Sequence, residues 1–408
     1  MNILFLTLLD FNSLTESNIY TDILRCFSGK GHNVYAISPS EKRKAQQTEV
    51  LVDQNAQILK VKIGNITKCG MIEKGISTLK IEDQYIRAIK KYYTDVHFDL
   101  ILYATPPITF GKVIEFIKKR DHARSYLLLK DIFPQNAVDL GMFSSKGLLY
   151  TFFKRKEKKL YDQSDFIGCM SQANVDYLLK HNSWIGPKKV EICPNSIEPI
   201  TIEKDETIIW KVREKYSIPM DKTIFIYGGN LGKPQGMEHI IACLKACADH
   251  PKAYFVIAGS GTEYPKLKAF LEETPLSNVQ LLYQLPKEDY ELLANTCDVG
   301  LIFLDHRFSI PNFPSRLLSY MQAAMPVLAC TDIHTDIGQI IEAGSFGYWC
   351  ESREPGKFKE KIDQLCVGKE KLYEMGKNAR AYLEAHYTAS QAYEIIMKHF
   401  EQEGPENV

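Results

Sequence analysis

Short apolar runs rich in Val, Ile, Leu and Tyr recur along the chain with helical stretches between them, at residues 2–9, 33–38, 57–61, 99–104, 125–129 and 166–170. Runs that are apolar on both faces and alternate with helices predict a parallel sheet covered on both sides. The pattern pauses at residues 193–199, Cys-Pro-Asn-Ser-Ile-Glu-Pro, and the polar stretch at 201–207 follows neither the helical nor the strand period. It restarts with runs at 223–227, 253–258, 279–283, 299–304 and 326–330. The expectation is an α/β chain of two doubly wound, Rossmann-like domains, residues 1–200 and 201–385, facing each other across a cleft. Ligands of such sheets bind beyond the carboxyl ends of the strands. Residues 370–400 carry apolar side chains at helical spacing, among them Tyr393, Ile396, Met397 and Phe400. The last stretch, 386–408, is expected to pack as a helix back on the first domain.

Length and composition narrow this picture. At about 150 residues per domain, 408 residues suit two to three domains. With 45% hydrophobic and 25% charged residues the chain can bury its own core. Fifty basic residues balance fifty acidic ones, which leaves no basic footprint for wrapping nucleic acid. The ten cysteines are scattered without a Cys-x-x-Cys pair, so a reducing, cytoplasmic setting is expected. Cys243, Cys247 and His250 lie in an apolar helical pattern and read as core, not as a metal site. No apolar run reaches the roughly 20 residues of a membrane span, so any membrane contact is peripheral.

The strongest local signal is residues 227–236, Tyr-Gly-Gly-Asn-Leu-Gly-Lys-Pro-Gln-Gly, between a strand and a helical pattern. Glycines there let backbone amides approach a phosphate, and Lys233 supplies a mobile cation; a tight turn with a solvated lysine is the alternative. Gly259-Ser260-Gly261 follows the next strand and would line the same edge. Pro314 suits the first turn of a helix, which would aim the amides of Ser315 and Arg316, with the guanidinium, at a second anion; a surface helix with Arg316 in a salt bridge is the alternative. In the first half, Asp131 follows a strand and is the candidate acid or base, unless it only caps a turn. Residues 146–159 hold six basic residues against Glu157, with Leu148, Leu149, Phe152 and Phe153 on one helical arc. The stripe is either core or, with Lys154, Arg155, Lys158 and Lys159, a contact for anionic headgroups.

Gly31-His32-Asn33-Val34, Pro106-Pro107, Asp131-Ile132-Phe133-Pro134, Pro194-Asn195, the Gly229–Lys233 and Gly259–Gly261 motifs, Asp298-Val299 and Pro314-Ser315-Arg316-Leu317 occur in this order. In that order and spacing the chain resembles the family-4 retaining glycosyltransferases of GT-B fold, and within them bacterial surface-polysaccharide enzymes of L-fucosamine-transferase type. The resemblance implies a nucleotide-sugar donor, of UDP type, on the second domain. Gly229, Asn230, Gly232, Lys233, Gly259, Gly261, Asn312, Ser315, Arg316 and Ser319 would surround it, with Gln284 and Leu285 near the base. Thr15, Ser17, Asn18 and Thr105 would lie on the acceptor side with Asp131. The implied reaction moves a hexosyl or N-acetylhexosaminyl group, with retention, to a polyprenyl-diphosphate-linked saccharide at the inner leaflet, in capsule, O-antigen or exopolysaccharide synthesis. No cofactor is implied, since the nucleotide-sugar is a substrate, and no Asp-x-Asp motif offers a metal. Two glutamates frequent in the family stand here as Pro311 and Ser319, and a frequent Gly-Gly is replaced by the Thr15–Asn18 region. The replaced glutamates keep open a non-catalytic nucleotide- or glycan-binding partner, and a sugar-nucleotide epimerase, which shares the fold, is a further reading.

Overall fold

The computed structural model describes residues 1–67, 69–202, 205–366 and 368–400, the side chains of Met71 and Ile72 excepted. The described chain divides into two compact units, one of Met1–Glu198 with the chain from Thr388 on, the other of Pro199–Tyr387. Residues 401–408 lie outside the description.

The first unit holds eight strands: β1 (Asn2–Leu6), β2 (Asn33–Glu41), β3 (Glu49–Asp53), β4 (Ala56–Ile63), β5 (Leu100–Ala104), β6 (Arg124–Leu129), β7 (Phe166–Cys169) and β8 (Val190–Ile192). Their order is β3-β4-β2-β1-β5-β6-β7-β8. All pairs are parallel except β3 with β4. Strand alternation sends successive residues to opposite faces. Leu4, Leu6, Ile101, Tyr103 and Leu127 therefore enter one core, and Ile3, Phe5, Leu100, Leu102 and Leu128 the other. Each fully buried side chain of this kind contributes roughly 1.5–3 kcal/mol. The terminal helix Ala389–Met397 adds Ala392, Tyr393, Ile396 and Met397 to the second of these cores.

The second unit holds β9 (Thr223–Asn230), β10 (Ala253–Ser260), β11 (Val279–Leu282), β12 (Val299–Phe303), β13 (Val327–Thr331) and β14 (Gly347–Glu351), in the order β11-β10-β9-β12-β13-β14. All five pairs are parallel. This is the doubly wound order, whose crevice lies at the carboxyl ends of the central strands. Three strands lack a signal of their own in the apolar pattern. β3 and β14 are edge strands with mixed burial, and β8 has three residues.

Candidate active site

β9 runs on through the glycine motif to Asn230, three residues beyond its apolar run, and pairs Gly229 with Gly259 and Asn230 with Ser260 on β10. The two glycine motifs are thus neighbours on one edge. A Cβ on Gly259 would stand 2.0 Å from the Gly229 carbonyl oxygen, so only glycine lets the strand ends come this close. Gly229 itself has φ +118°, a conformation that side chains rarely adopt. Gly261 lies against the Leu231 carbonyl. After the turn at residues 233–235, Gly236 opens the helix Met237–Ala246. The Gly232 amide donates to Gln235 Oε1 at 3.0 Å, so this amide, expected on a phosphate, already has a partner. Lys233 is exposed, and its ammonium has no partner among the described residues.

Arg316 begins the seven-residue helix Arg316–Gln322. Its guanidinium carbon sits 4.0 Å from the centre of the Tyr227 ring. A Cβ on Gly229 would be 2.8 Å from Arg316 Nη2, which places the guanidinium on the glycine edge. Tyr290 packs on Gly228 and Tyr320 on Gly300, and the Tyr320 hydroxyl donates to the Ile226 and Leu301 carbonyls at 3.1 Å. Burial pushes the Tyr290 phenol up to about 12, against the nearby Arg316 charge. No carboxylate pairs with Arg316 among the described residues, which removes the salt-bridge alternative. A guanidinium held among tyrosines and glycine backbone has lost water and gained no counter-charge, so an anion supplied by a ligand is its natural partner.

Other expected donor residues lie around this edge. Ser260 Oγ donates to Gln284 Oε1 at 3.1 Å, linking the ends of β10 and β11, and Leu285 follows half-buried. Ser315 and Ser319 are exposed. The Asn312 carbonyl accepts from Thr335 Oγ1 at 2.6 Å, while its Nδ2 is buried without a partner among the described residues.

In the first unit Asp131 follows β6, and both its carboxylate oxygens accept from Asn136 Nδ2, at 2.8 and 2.9 Å. Burial pushes this carboxyl up to about 6 against those bonds, and pushes the ammonium of Lys130 down to about 7. The Lys130 ammonium lies 4.5 Å from the centre of the Tyr20 ring. Two adjacent groups thus change charge near neutral pH, as general acid or base work requires. Thr105 is fully buried, and its hydroxyl accepts from the amides of Lys130 and Asp131 at 3.0 and 3.1 Å. Thr105 therefore supports the strand end from beneath instead of offering a hydroxyl to an acceptor. Asn18 Oδ1 accepts from the amides of Tyr20 and Thr21, opening the helix Thr21–Gly29, while Thr15 and Ser17 are exposed. Tyr227, Tyr290, Tyr320, Lys130 and Asn136 join the candidate groups; a tyrosine before a glycine pair and a lysine before Asp131 were the only local signals for them.

With this geometry in place the comparisons are specific. Residues 208–382 match the family described as glycosyl transferases group 1. The match lies within the second unit. The chain is 24% identical over 302 residues to the probable glycosyltransferase WbjE of Pseudomonas aeruginosa, covering 71% of each. It is 22% identical over 254 residues to WcaI of Escherichia coli K12, named as a colanic acid biosynthesis glycosyl transferase, covering 60% of each. Among solved structures it resembles Anabaena HepE in complex with UDP and glucose, with a TM-score of 0.70, 14% identity and coverage of 98% of this chain and 99% of that one. The fold is GT-B, two Rossmann-like units in one chain.

Proposed function

We propose that this protein is a retaining glycosyltransferase of glycan synthesis, moving a hexosyl or N-acetylhexosaminyl group from a UDP-sugar to a polyprenyl-diphosphate-linked saccharide. The observation that carries the reading is the Arg316 guanidinium, without a carboxylate partner among the described residues, against Gly229 on the edge shared with Gly259, with the exposed Lys233 in the turn that follows that strand. Negative charge grows on the leaving diphosphate as the glycosidic bond breaks. Fixed cations at that position stabilise the transition state more than the ground state. The names of WcaI and of the HepE complex, which holds UDP and glucose, support the substrate classes. Asp131, in the first unit, is assigned to the acceptor, where a carboxyl titrating near neutrality can take up a hydroxyl proton.

Lys233 and Arg316 supply the charge compensation that a metal supplies elsewhere, so donor binding is proposed to need no divalent ion. Calorimetric titration with UDP in the presence of a chelator tests this directly. Binding that appears only after a divalent ion is added refutes metal independence. A panel of UDP-sugars, followed for nucleotide release with and without a lipid-linked acceptor, tests the reaction itself. Acceptor-dependent release supports transfer. Pro311 and Ser319, at positions where the resembling family often has glutamate, favour one second reading, a nucleotide-binding protein without turnover. UDP binding with no release across the panel would establish it.

A further inference from the structure

A cluster of soft ligands lies inside the second unit and has no part in the proposed transfer. His239 and Cys243 are one turn apart on the helix Met237–Ala246 and share a face. His239 Nε2 lies 3.3 Å from Cys243 Sγ. Cys330 on β13 reaches the same point, so that ligand atoms of His239, Cys243 and Cys330 all lie within 4.8 Å of one another, and all three residues are buried. Cys350 is the direct neighbour of Cys330 across the β13–β14 pair, with the two sulfurs 2.9 Å apart. Two thiols and an imidazole from one helix and one strand therefore converge in an otherwise apolar core, with a third thiol, Cys350, against Cys330. Cys247 and His250 take no part. Cys247 packs in the core, and His250 Nε2 meets Asp363 Oδ1 at 2.9 Å.

We propose that His239, Cys243 and Cys330 form a structural zinc site, with the neighbouring Cys350 thiol turning in as the fourth donor when the ion binds. Zinc takes four N and S donors in a tetrahedron, and pairs spaced by one helical turn are a common source of two of them. Sites open to substrate keep one position for water, whereas this one is enclosed by protein, with a fourth sulfur beside the three converging donors. Binding deprotonates the thiols and releases their protons, so the ion converts buried groups with little hydrogen bonding into strong ligands. It also ties the helix that follows the Gly229–Gly236 turn to β13 and β14.

The test uses the full chain, unfolded with reductant and chelator and then refolded with zinc, with cobalt or with chelator alone. The expected results are one equivalent of zinc per chain and, with cobalt, thiolate charge-transfer and tetrahedral ligand-field bands. Zinc should also protect Cys243, Cys330 and Cys350 from alkylation in mild denaturant while leaving Cys297 and Cys366 unchanged. His239→Gln with Cys243→Ser should abolish zinc uptake and unfold at the same temperature with zinc as without it. Zinc retained by that double variant, or less than half an equivalent in the native chain, overturns the assignment. Should the double variant fail to fold, the alkylation pattern of the native chain decides: equal protection with and without zinc overturns it.

Discussion

Arg316 shows how much a single side chain's surroundings decide. An arginine at the start of a helix is ordinarily a solvated charge, but this one lies over Tyr227 and against Gly229 with no carboxylate pairing with it among the described residues. Replacing Arg316 or Lys233 by Ala should lower turnover at saturating donor by roughly 100-fold or more, the scale of removing one contact to a developing anion. The far-ultraviolet circular dichroism should be unchanged, and near-normal turnover in either variant would refute its role. Asp131 makes a prediction of opposite sign for stability. Its carboxyl titrates at about 6 in the fold against 3.8 in the unfolded chain, so folding favours the protonated form. That contribution is complete below 3.8 and is lost as pH rises through about 6. Asp131→Asn should therefore stabilise the protein by roughly 1–2 kcal/mol above pH 6 and change little below pH 4. It should also suppress transfer while leaving UDP affinity intact. Thermal unfolding against pH and a UDP titration check the two parts.

At the scale of elements, the glycine edge depends on two strand ends that approach more closely than side chains permit. Gly259→Ala would force its Cβ into the Gly229 carbonyl, and backbone cannot swing aside as a flexible side chain does. The expected cost is about 3 kcal/mol, with loss of UDP binding, read from denaturant unfolding and calorimetry. The terminal helix illustrates the opposite case, an element whose start is written locally. Thr388 Oγ1 accepts from the Gln391 amide at 3.2 Å and Gln391 Oε1 accepts from the Thr388 amide at 3.0 Å, a reciprocal cap. Thr388→Ala should cost about 1 kcal/mol and loosen the helix that carries Tyr393 and Ile396 into the first unit's core.

For the whole molecule, the face on helix Leu148–Gln163 bears on where the enzyme works. Leu148 is 92% exposed and Leu149 51%, with Phe152 and Met142 also exposed, whereas Phe153 packs on Phe133. The stripe is thus not wholly core. The charge balance also differs from the sequence pattern: Lys154 pairs with Glu157, Lys156 with Glu82, Lys158 with Asp162 and Lys159 with Glu115. Paired lysines attract anionic lipid less than the roughly 1 kcal/mol of a free one, so apolar insertion should carry more of the binding. Among the described residues no helix is long and apolar enough to cross a membrane. We predict co-sedimentation with anionic vesicles that survives moderate salt and is lost in Leu148→Ser, Leu149→Ser, Phe152→Ser. Binding unaffected by that triple change would move the acceptor contact to another surface.

Eleven strand-forming runs, the doubly wound class and the glycine motifs were readable from the chain because they rest on short-range pattern: apolar on both faces for a covered strand, glycine where backbone must come close. Edge strands β3 and β14 carry no such pattern because one side of each is left to solvent, and β8 is too short to show a period. The two glycine motifs are thirty residues apart and became one edge only through the pairing of β9 with β10. Thr105 was legible as a residue after a strand, but its burial and its bonds to two amides depend on β6 lying alongside β5. His239 and Cys243 show a helical spacing in the chain, yet Cys330 joins them from about ninety residues on, with Cys350 beside it across the β13–β14 pair. Local chemistry is written in neighbours along the chain, whereas counter-charge, burial and convergence are properties of neighbours in space.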